Sequence, residues 1–210
     1  MAQIFISHSA NDKDLVNFFS RAGAATKVKL VFEEIEKLAS GEVTGAKIQK
    51  DIQGSNAVFI VLGPGVHGTS HTRDWVVWES GVASNKEIWV FEPFSSLGQI
   101  SVVIPRLLNY VVLNMNDSFL EFVRQVIHSY DDSHVLPTAL ATGGLGAAGG
   151  PIGAGIGFVA GLFLSSQQNP RPTGVHLRCA KCPASFHFHF PDGLTAFRCP
   201  VCNAALTLPF

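Results

Sequence analysis

Gln3-Ile4-Phe5-Ile6 running into Ser7-His8-Ser9-Ala10-Asn11-Asp12 is the stretch that decides the fold. The first four residues read as a short buried strand, the next six as a polar loop that opens a helix. A chain that begins strand, polar loop, helix is set up to build a parallel sheet covered on both faces, and the pattern then repeats. Further strands are predicted near Lys29-Phe32, Val58-Leu62, Ile88-Phe91 and Val111-Leu113. Helices are predicted near Asp12-Ala22, Gly45-Gln53, Arg73-Ser84 and Asp117-Tyr130. In the last of these Phe119, Phe122, Val123, Val126 and Ile127 recur on one helical face, with Asp117 or Ser118 placed to cap its start. The expected fold class is therefore α/β, with a five-stranded parallel sheet of flavodoxin-like type.

In such sheets ligands bind beyond the carboxyl ends of the strands. Glu79 closes the run Trp75-Val76-Val77-Trp78-Glu79, which follows the apolar strand Val58-Phe59-Ile60-Val61-Leu62 and a Gly/His/Ser-rich loop. An acid there is a site candidate. It is equally at home as a solvated side chain in the first turn of a helix, where the helix dipole favours it.

Three motifs in order, IFISHSANDKDLVNFF, IQKDIQGSNAVFIVL and WVVWE, resemble the prokaryotic form of the TIR (Toll/interleukin-1 receptor) domain family over roughly residues 1–130. The resemblance implies an enzyme that cleaves NAD+ between nicotinamide and ribose, with a linear or a cyclic ADP-ribose product, acting in immune or antiphage defence. It carries the catalytic glutamate onto Glu79. It also implies that Ser7, His8 and Ser9 line the nucleotide site, that Phe32-Glu33-Glu34 begins the loop gating it, and that Ser70 and His71 touch ribose or phosphate. Trp75, one turn before Glu79 and on the same helical face, suits a wall of that pocket; Trp78 points elsewhere, as core. Ser7 and Ser9 also suit helix capping, and His8 and His71 an ordinary protein surface. Departures from the family pattern lie in the first loop, where His8 stands in place of a basic residue, and in the Glu33-Glu34-Ile35-Glu36 run of the gating region. The alternative class is a non-catalytic TIR scaffold that recruits another TIR domain.

The chemistry asks little of the protein. Nicotinamide leaves NAD+ as a neutral molecule, so no general acid is required. What lowers the barrier is a carboxylate close to the ribose, stabilising oxocarbenium-like charge as in glycoside hydrolysis. One glutamate suffices. Gly63-Pro64-Gly65 lacks the spacing and the lysine of a phosphate-cradling loop.

Composition allows a sizeable core, with 47% hydrophobic and 15% charged residues. Charge is unevenly spread. Residues 1–132 carry eleven Lys/Arg and fifteen Asp/Glu, residues 133–170 neither, and residues 171–210 four basic and one acidic. The front domain thus has no basic footprint for nucleic acid. No signal-peptide pattern opens the chain, and the first 132 residues hold no cysteine, so a cytoplasmic setting is expected.

Four regions follow from these shifts. Residues 1–132 form the TIR-like domain. Residues 133–165 form a Gly/Ala-rich apolar segment in which Gly149, Gly153, Gly157 and Gly161 recur every fourth position. On a helix that spacing makes a glycine-lined groove through which chains approach closely, so self-association is expected there as well as through the TIR-like domain. Membrane contact and self-packing both remain open for it. Pro151 shortens any plain helix to about 15 residues and 22 Å, less than the ~30 Å of a hydrocarbon core. Residues 166–174 form a linker.

Residues 175–210 carry Cys179-x2-Cys182 and Cys199-x2-Cys202, separated by sixteen residues. That spacing sets two thiolate pairs at the corners of a tetrahedral Zn²⁺ site and resembles a zinc ribbon. Short strands are expected at Phe186-Phe190 and Ala196-Arg198 with Asp192-Gly193 as the hairpin turn, and His187 and His189 are expected to face outward as non-ligands. A structural zinc would stabilise a module too small for its own core. Four thiolates with one Zn²⁺ leave this tail near +1, a poor match for nucleic acid.

Overall fold

The computed structural model describes residues 1–34, 37, 40–42, 44–67, 81–83, 85–97, 107–131 and 174–208. Strands β1 (Gln3–His8), β2 (Lys29–Glu34), β3 (Ala57–Val61), β4 (Glu87–Pro93) and β5 (Asn109–Leu113) alternate with helices α1 (Lys13–Gly23), α2 (Gly45–Gln53), the single turn α3 (Pro64–His67) and, after β5, α4 (Asp117–His128). Strands β6 (Val175–Arg178), β7 (Ser185–His189), β8 (Ala196–Arg198) and β9 (Ala205–Thr207) follow.

Strands β1 to β5 are parallel, in the order β2-β1-β3-β4-β5. This is the doubly wound, flavodoxin-like order expected from the sequence, with its topological switch between β1 and β3. Both faces are covered, which is why the strands are continuous apolar runs: all five residues of β3 are buried. On one face Phe5, Val58, Ile60, Val90 and Val112 pack with Ile48 and Ile52 of α2 and with Ala83. On the other, Ile4, Ile6, Phe59, Trp89 and Phe91 pack with Phe18 and Phe19 of α1 and Val123, Val126 and Ile127 of α4. At the start of α4 the cap is Asn116, whose side chain accepts from Phe119 N at 3.0 Å, one residue earlier than expected.

The sheet does not stop at β5. Strand β7 pairs with β5 in parallel, Tyr110 opposite Phe188, and β6 pairs antiparallel with β7 as the outer edge. The expected five-stranded parallel sheet is therefore corrected to a seven-stranded, mostly parallel one. The C-terminal residues also share the core of the front domain: Phe186, Phe188 and Phe197 join the cluster that contains Phe5 and Val90. The expected hairpin across Asp192-Gly193 is not formed. Gly193 takes a positive φ of 87°, but β8 pairs with β9 rather than with β7.

Among the described residues no helix is long and apolar enough to cross a membrane. The glycine-rich segment 133–165 and most of the linker 166–174 lie outside the described residues.

Candidate functional site

At the carboxyl end of β1 the strand runs further than the sequence implies. Ser7 and His8 are its last residues and are buried, as is Ser9. They are correctly placed at the strand's end but belong to the ladder, Ser7 opposite Glu33 and His8 opposite Glu34 on β2. The His8 ring meets Phe32 edge-on at 6.0 Å, and its Nδ1 lies 3.0 Å from the carbonyl oxygen of Ser9. Glu33, also buried, pairs with Lys47 of α2, and Lys47 reaches Asp51 at 3.0 Å. Hydrogen bonds to Glu33 and then Asp51 hold the Lys47 ammonium above the usual lysine range. His8 and Phe32 are thus brought together on one face of the β1/β2 pair, while Ser7 and Glu33 belong to the other face. Ser70, His71, Trp75 and Glu79 lie outside the described residues.

The loops after β1 and β3 are latched to each other. Gly65 N donates to Oδ1 of Asp12 at 2.9 Å. A Cβ at Gly63 would sit 2.3 Å from the Asp12 carboxylate and one at Gly65 2.5 Å from Ser9 Oγ. Only glycine permits this approach, a role that the sequence pattern of Gly63-Pro64-Gly65 did not disclose. Beside the latch a cavity of about 380 Å³ opens between the start of α1 and the loops after β3, β4 and β5. Asp12 and Asp14 line it with the apolar side chains of Leu15 and Met115, and among the described residues no basic side chain does. Such a lining is a poor seat for a diphosphate. Ser7, His8, Ser9 and Phe32, the described ones among the site residues expected from sequence, do not line it.

Two further residues escaped the sequence reading. Glu92, near the carboxyl end of β4, is 2% exposed and accepts a hydrogen bond from the Tyr110 hydroxyl of β5. Burial first, then the negative charge of Glu92, pushes the Tyr110 phenol well above the usual tyrosine range. The available signal was a carboxylate directly following the apolar run Ile88-Phe91. Tyr110 in turn packs against Phe186, Phe188 and Phe197 at ring separations of 6.2, 5.8 and 6.4 Å.

The four cysteines form the second site. All are free thiols, and their four Sγ atoms lie within 4.8 Å of one another. Cys179 and Cys202 approach to 3.6 Å, Cys182 and Cys199 to 3.8 Å. A tetrahedral ion with metal–sulfur bonds of ~2.3 Å needs its sulfurs about 3.8 Å apart, so the cluster has metal-binding geometry. Each pair sits on a tight backbone turn: Cys179 N bonds Ala184 O at 2.9 Å and Cys199 N bonds Ala204 O at 2.8 Å, with Asn203 at a φ of 61°. The Lys181 N–H, 3.3 Å from Cys179 Sγ, brings that thiol down to about 7, whereas burial pushes Cys199 up to about 12. The thiols do not ionise alike without a cation among them. His187 is exposed as expected, but His189 is not: it is 7% exposed, stacked on Trp89 at 5.4 Å and against Phe122 at 5.1 Å. Desolvation brings its pKa down to about 4.

No family model and no curated protein matches this chain. Among solved structures, the glutaminase domain of Trypanosoma brucei CTPS with bound acivicin is similar over 44% of this chain and 36% of its own, at 16% identity and a TM-score of 0.30. The match therefore spans about a third of that chain's length, and a likeness of this size carries no functional argument.

Proposed function

We propose that the chain is a TIR-type NAD+ glycohydrolase or ADP-ribosyl cyclase whose carboxylate is Glu79, with a structural Zn²⁺ on Cys179, Cys182, Cys199 and Cys202. The observation that carries the enzymatic reading is the position of Ser7, His8 and Ser9 at the carboxyl end of β1, the strand that borders the switch point between β1 and β3, with Phe32 of β2 beside His8. Glu79 belongs to the connection from β3 to β4, and Ala83, four residues on, joins the core face that Ser7 and Glu33 border. In the reaction the bond between nicotinamide nitrogen and the ribose anomeric carbon breaks, and its electron pair leaves with neutral nicotinamide. Glu79 stabilises the cationic sugar until water or an internal nucleophile adds to it. The zinc takes no part in this step; it would tie together the two cysteine turns. Association through the glycine-rich segment 133–165 would bring TIR-like domains together and raise their local concentration.

The scaffold reading, a TIR-like domain that recruits another without chemistry, draws support from the acidic lining that the described residues give the 380 Å³ cavity. Glu79→Gln separates the two, because it removes the charge and keeps the shape. Incubation of the purified chain with NAD+ and resolution of the products is expected to show cleavage by the parent and a loss of at least 100-fold in the variant, the scale of removing one transition-state electrostatic contact. No cleavage by the parent, or undiminished turnover in the variant, overturns the enzymatic reading.

A further inference from the structure

Outside both sites, the outer strands carry a second set of imidazoles. His176 on β6 and His187 on β7 are register partners in the antiparallel pair, and both are exposed. Their ring centres are 5.3 Å apart at an interplanar angle of 63°. Ser185, next to His187 on the same face of β7, has its hydroxyl oxygen 2.8 Å from Nε2 of His176.

We propose that His176 and His187 form a two-nitrogen chelate for one divalent transition-metal ion of the class imidazole favours, Zn²⁺ among them, distinct from the four-cysteine site. Two imidazoles on one tetrahedral zinc, with metal–nitrogen bonds of ~2.0–2.1 Å, have ring centres about 5.2 Å apart. The rings already stand at that separation, so binding requires rotation about side-chain bonds and no movement of backbone. The backbone is also fixed. Strand β7 is paired on both sides, and His187 N bonds Leu108 O at 2.8 Å. Ser185 plays the part that outer partners play at metal histidines. A Ser185 hydroxyl that accepts from Nε2–H of His176 fixes the tautomer in which the Nδ1 lone pair is left for the ion.

The neighbouring groups define the chemistry further. His189, two residues beyond His187, is inside the fold and stacked on Trp89, so it is not a third ligand. Arg178 lies opposite Ser185 in the register and brings positive charge to the same face. A hard ion held by charge, such as Mg²⁺ or Ca²⁺, is disfavoured there, whereas an ion bound through nitrogen lone pairs is not. Two protein nitrogens leave the remaining coordination positions to water. The site is therefore open and exchangeable, unlike the closed four-cysteine cluster.

Equilibrium dialysis of the full chain against Zn²⁺, with Mg²⁺ present in excess, tests this. The parent is expected to hold one more Zn²⁺ per chain than either His176→Ala or His187→Ala, and Ser185→Ala is expected to weaken that additional ion at least 10-fold without abolishing it. His189→Phe, which alters the one inward imidazole of this strand pair, is expected to leave the count unchanged. Both histidine ligands are exposed, and an unchanged circular-dichroism spectrum confirms that the variants fold. Equal zinc counts in the parent and in both histidine variants overturn the proposal, whatever the state of the cysteine site or of NAD+ cleavage.

Discussion

Strands β3 and β7 are separated by β4 and β5 in one sheet and share one core face, yet they are built from opposite materials. Ala57–Val61 is apolar at every position and buried at every position, flanked by strands on both edges and covered on both faces. Ser185–His189 alternates Phe with Ser and His, buries the phenylalanines against Tyr110 and Phe197, and carries His187 on the open face. A central parallel strand gains its stability from burial alone. A five-residue strand one place in from the edge, belonging to a module of about 35 residues, gains it from its partners and from whatever holds the four thiols together.

The strongest way to break this contrast is to remove the clasp. Cys199→Ser, or stripping metal with a chelator, is expected to release the last strands at a cost on the order of 10 kcal/mol of metal-linked folding free energy, while β1 to β5 stay folded. Zinc content together with amide exchange in β5 and β7 checks it. Protected β7 amides in metal-free protein would mean that the sheet, not the metal, holds the module.

Truncating the aromatic stack comes next. Phe188 is fully buried and stacks on Phe197 with ring centres 4.0 Å apart, so Phe188→Ala is expected to cost about 3–5 kcal/mol. Because Phe188 shares a core with Phe5 and Val90, that loss is expected to move the urea midpoint of the whole sheet. A change confined to the last 35 residues would restore the picture of an independent module.

The pH dependence sharpens the contrast on the opposite face. His189 has its pKa lowered to about 4 from 6.5 by burial, so as pH falls below 6.5 the unfolded chain takes a proton that the folded chain refuses. The stability that neutral His189 preserves is full above pH 6.5 and is lost as pH falls from there towards 4. The shift corresponds to about 3 kcal/mol. Denaturant titrations at several pH values are expected to show this loss in the parent and its absence in His189→Phe, the carboxylate contribution being common to both. Smallest is Tyr110→Phe, which deprives buried Glu92 of one donor while keeping the ring among the phenylalanines; about 1–3 kcal/mol is expected in the same titration.

The legible part of this molecule is the part in which neighbours in sequence do the work. Strands β1 to β5 announce themselves as apolar runs, and their parallel pairing follows from alternation with helices. The four-cysteine cluster was legible for a different reason: the spacing of two C-x2-C pairs is itself the geometry. The seventh strand was hidden because its partner, β5, lies far back in the chain, and Phe-His-Phe-His-Phe reads just as well as half of a local hairpin. The burial of His189 went unseen for the same cause, since Trp89 and Phe122 are contributed from a distance. Ser7 and His8 looked like loop because polar residues rarely end a buried strand; here they do so where the strand meets the crevice. That Gly63-Pro64-Gly65 is no phosphate-cradling loop was legible, but that its glycines let two loops touch depends on Asp12 and Ser9, about fifty residues away.

The parallel pairing of β5 with β7 also sets a timetable. Leu113 ends β5 and Ser185 begins β7, so 72 positions must be synthesised after one edge exists before its cover does. At 5–20 residues per second that interval is roughly 4–14 s. Throughout it the emerging chain displays an open, apolar sheet edge, Tyr110-Val111-Val112-Leu113, followed by a long uncharged stretch. An edge of that kind is a template for pairing with another chain. The order in which the ribosome delivers this protein thus makes a late strand, β7, the one that covers the β5 edge, and chaperone demand during synthesis is expected to track the length of the intervening segment.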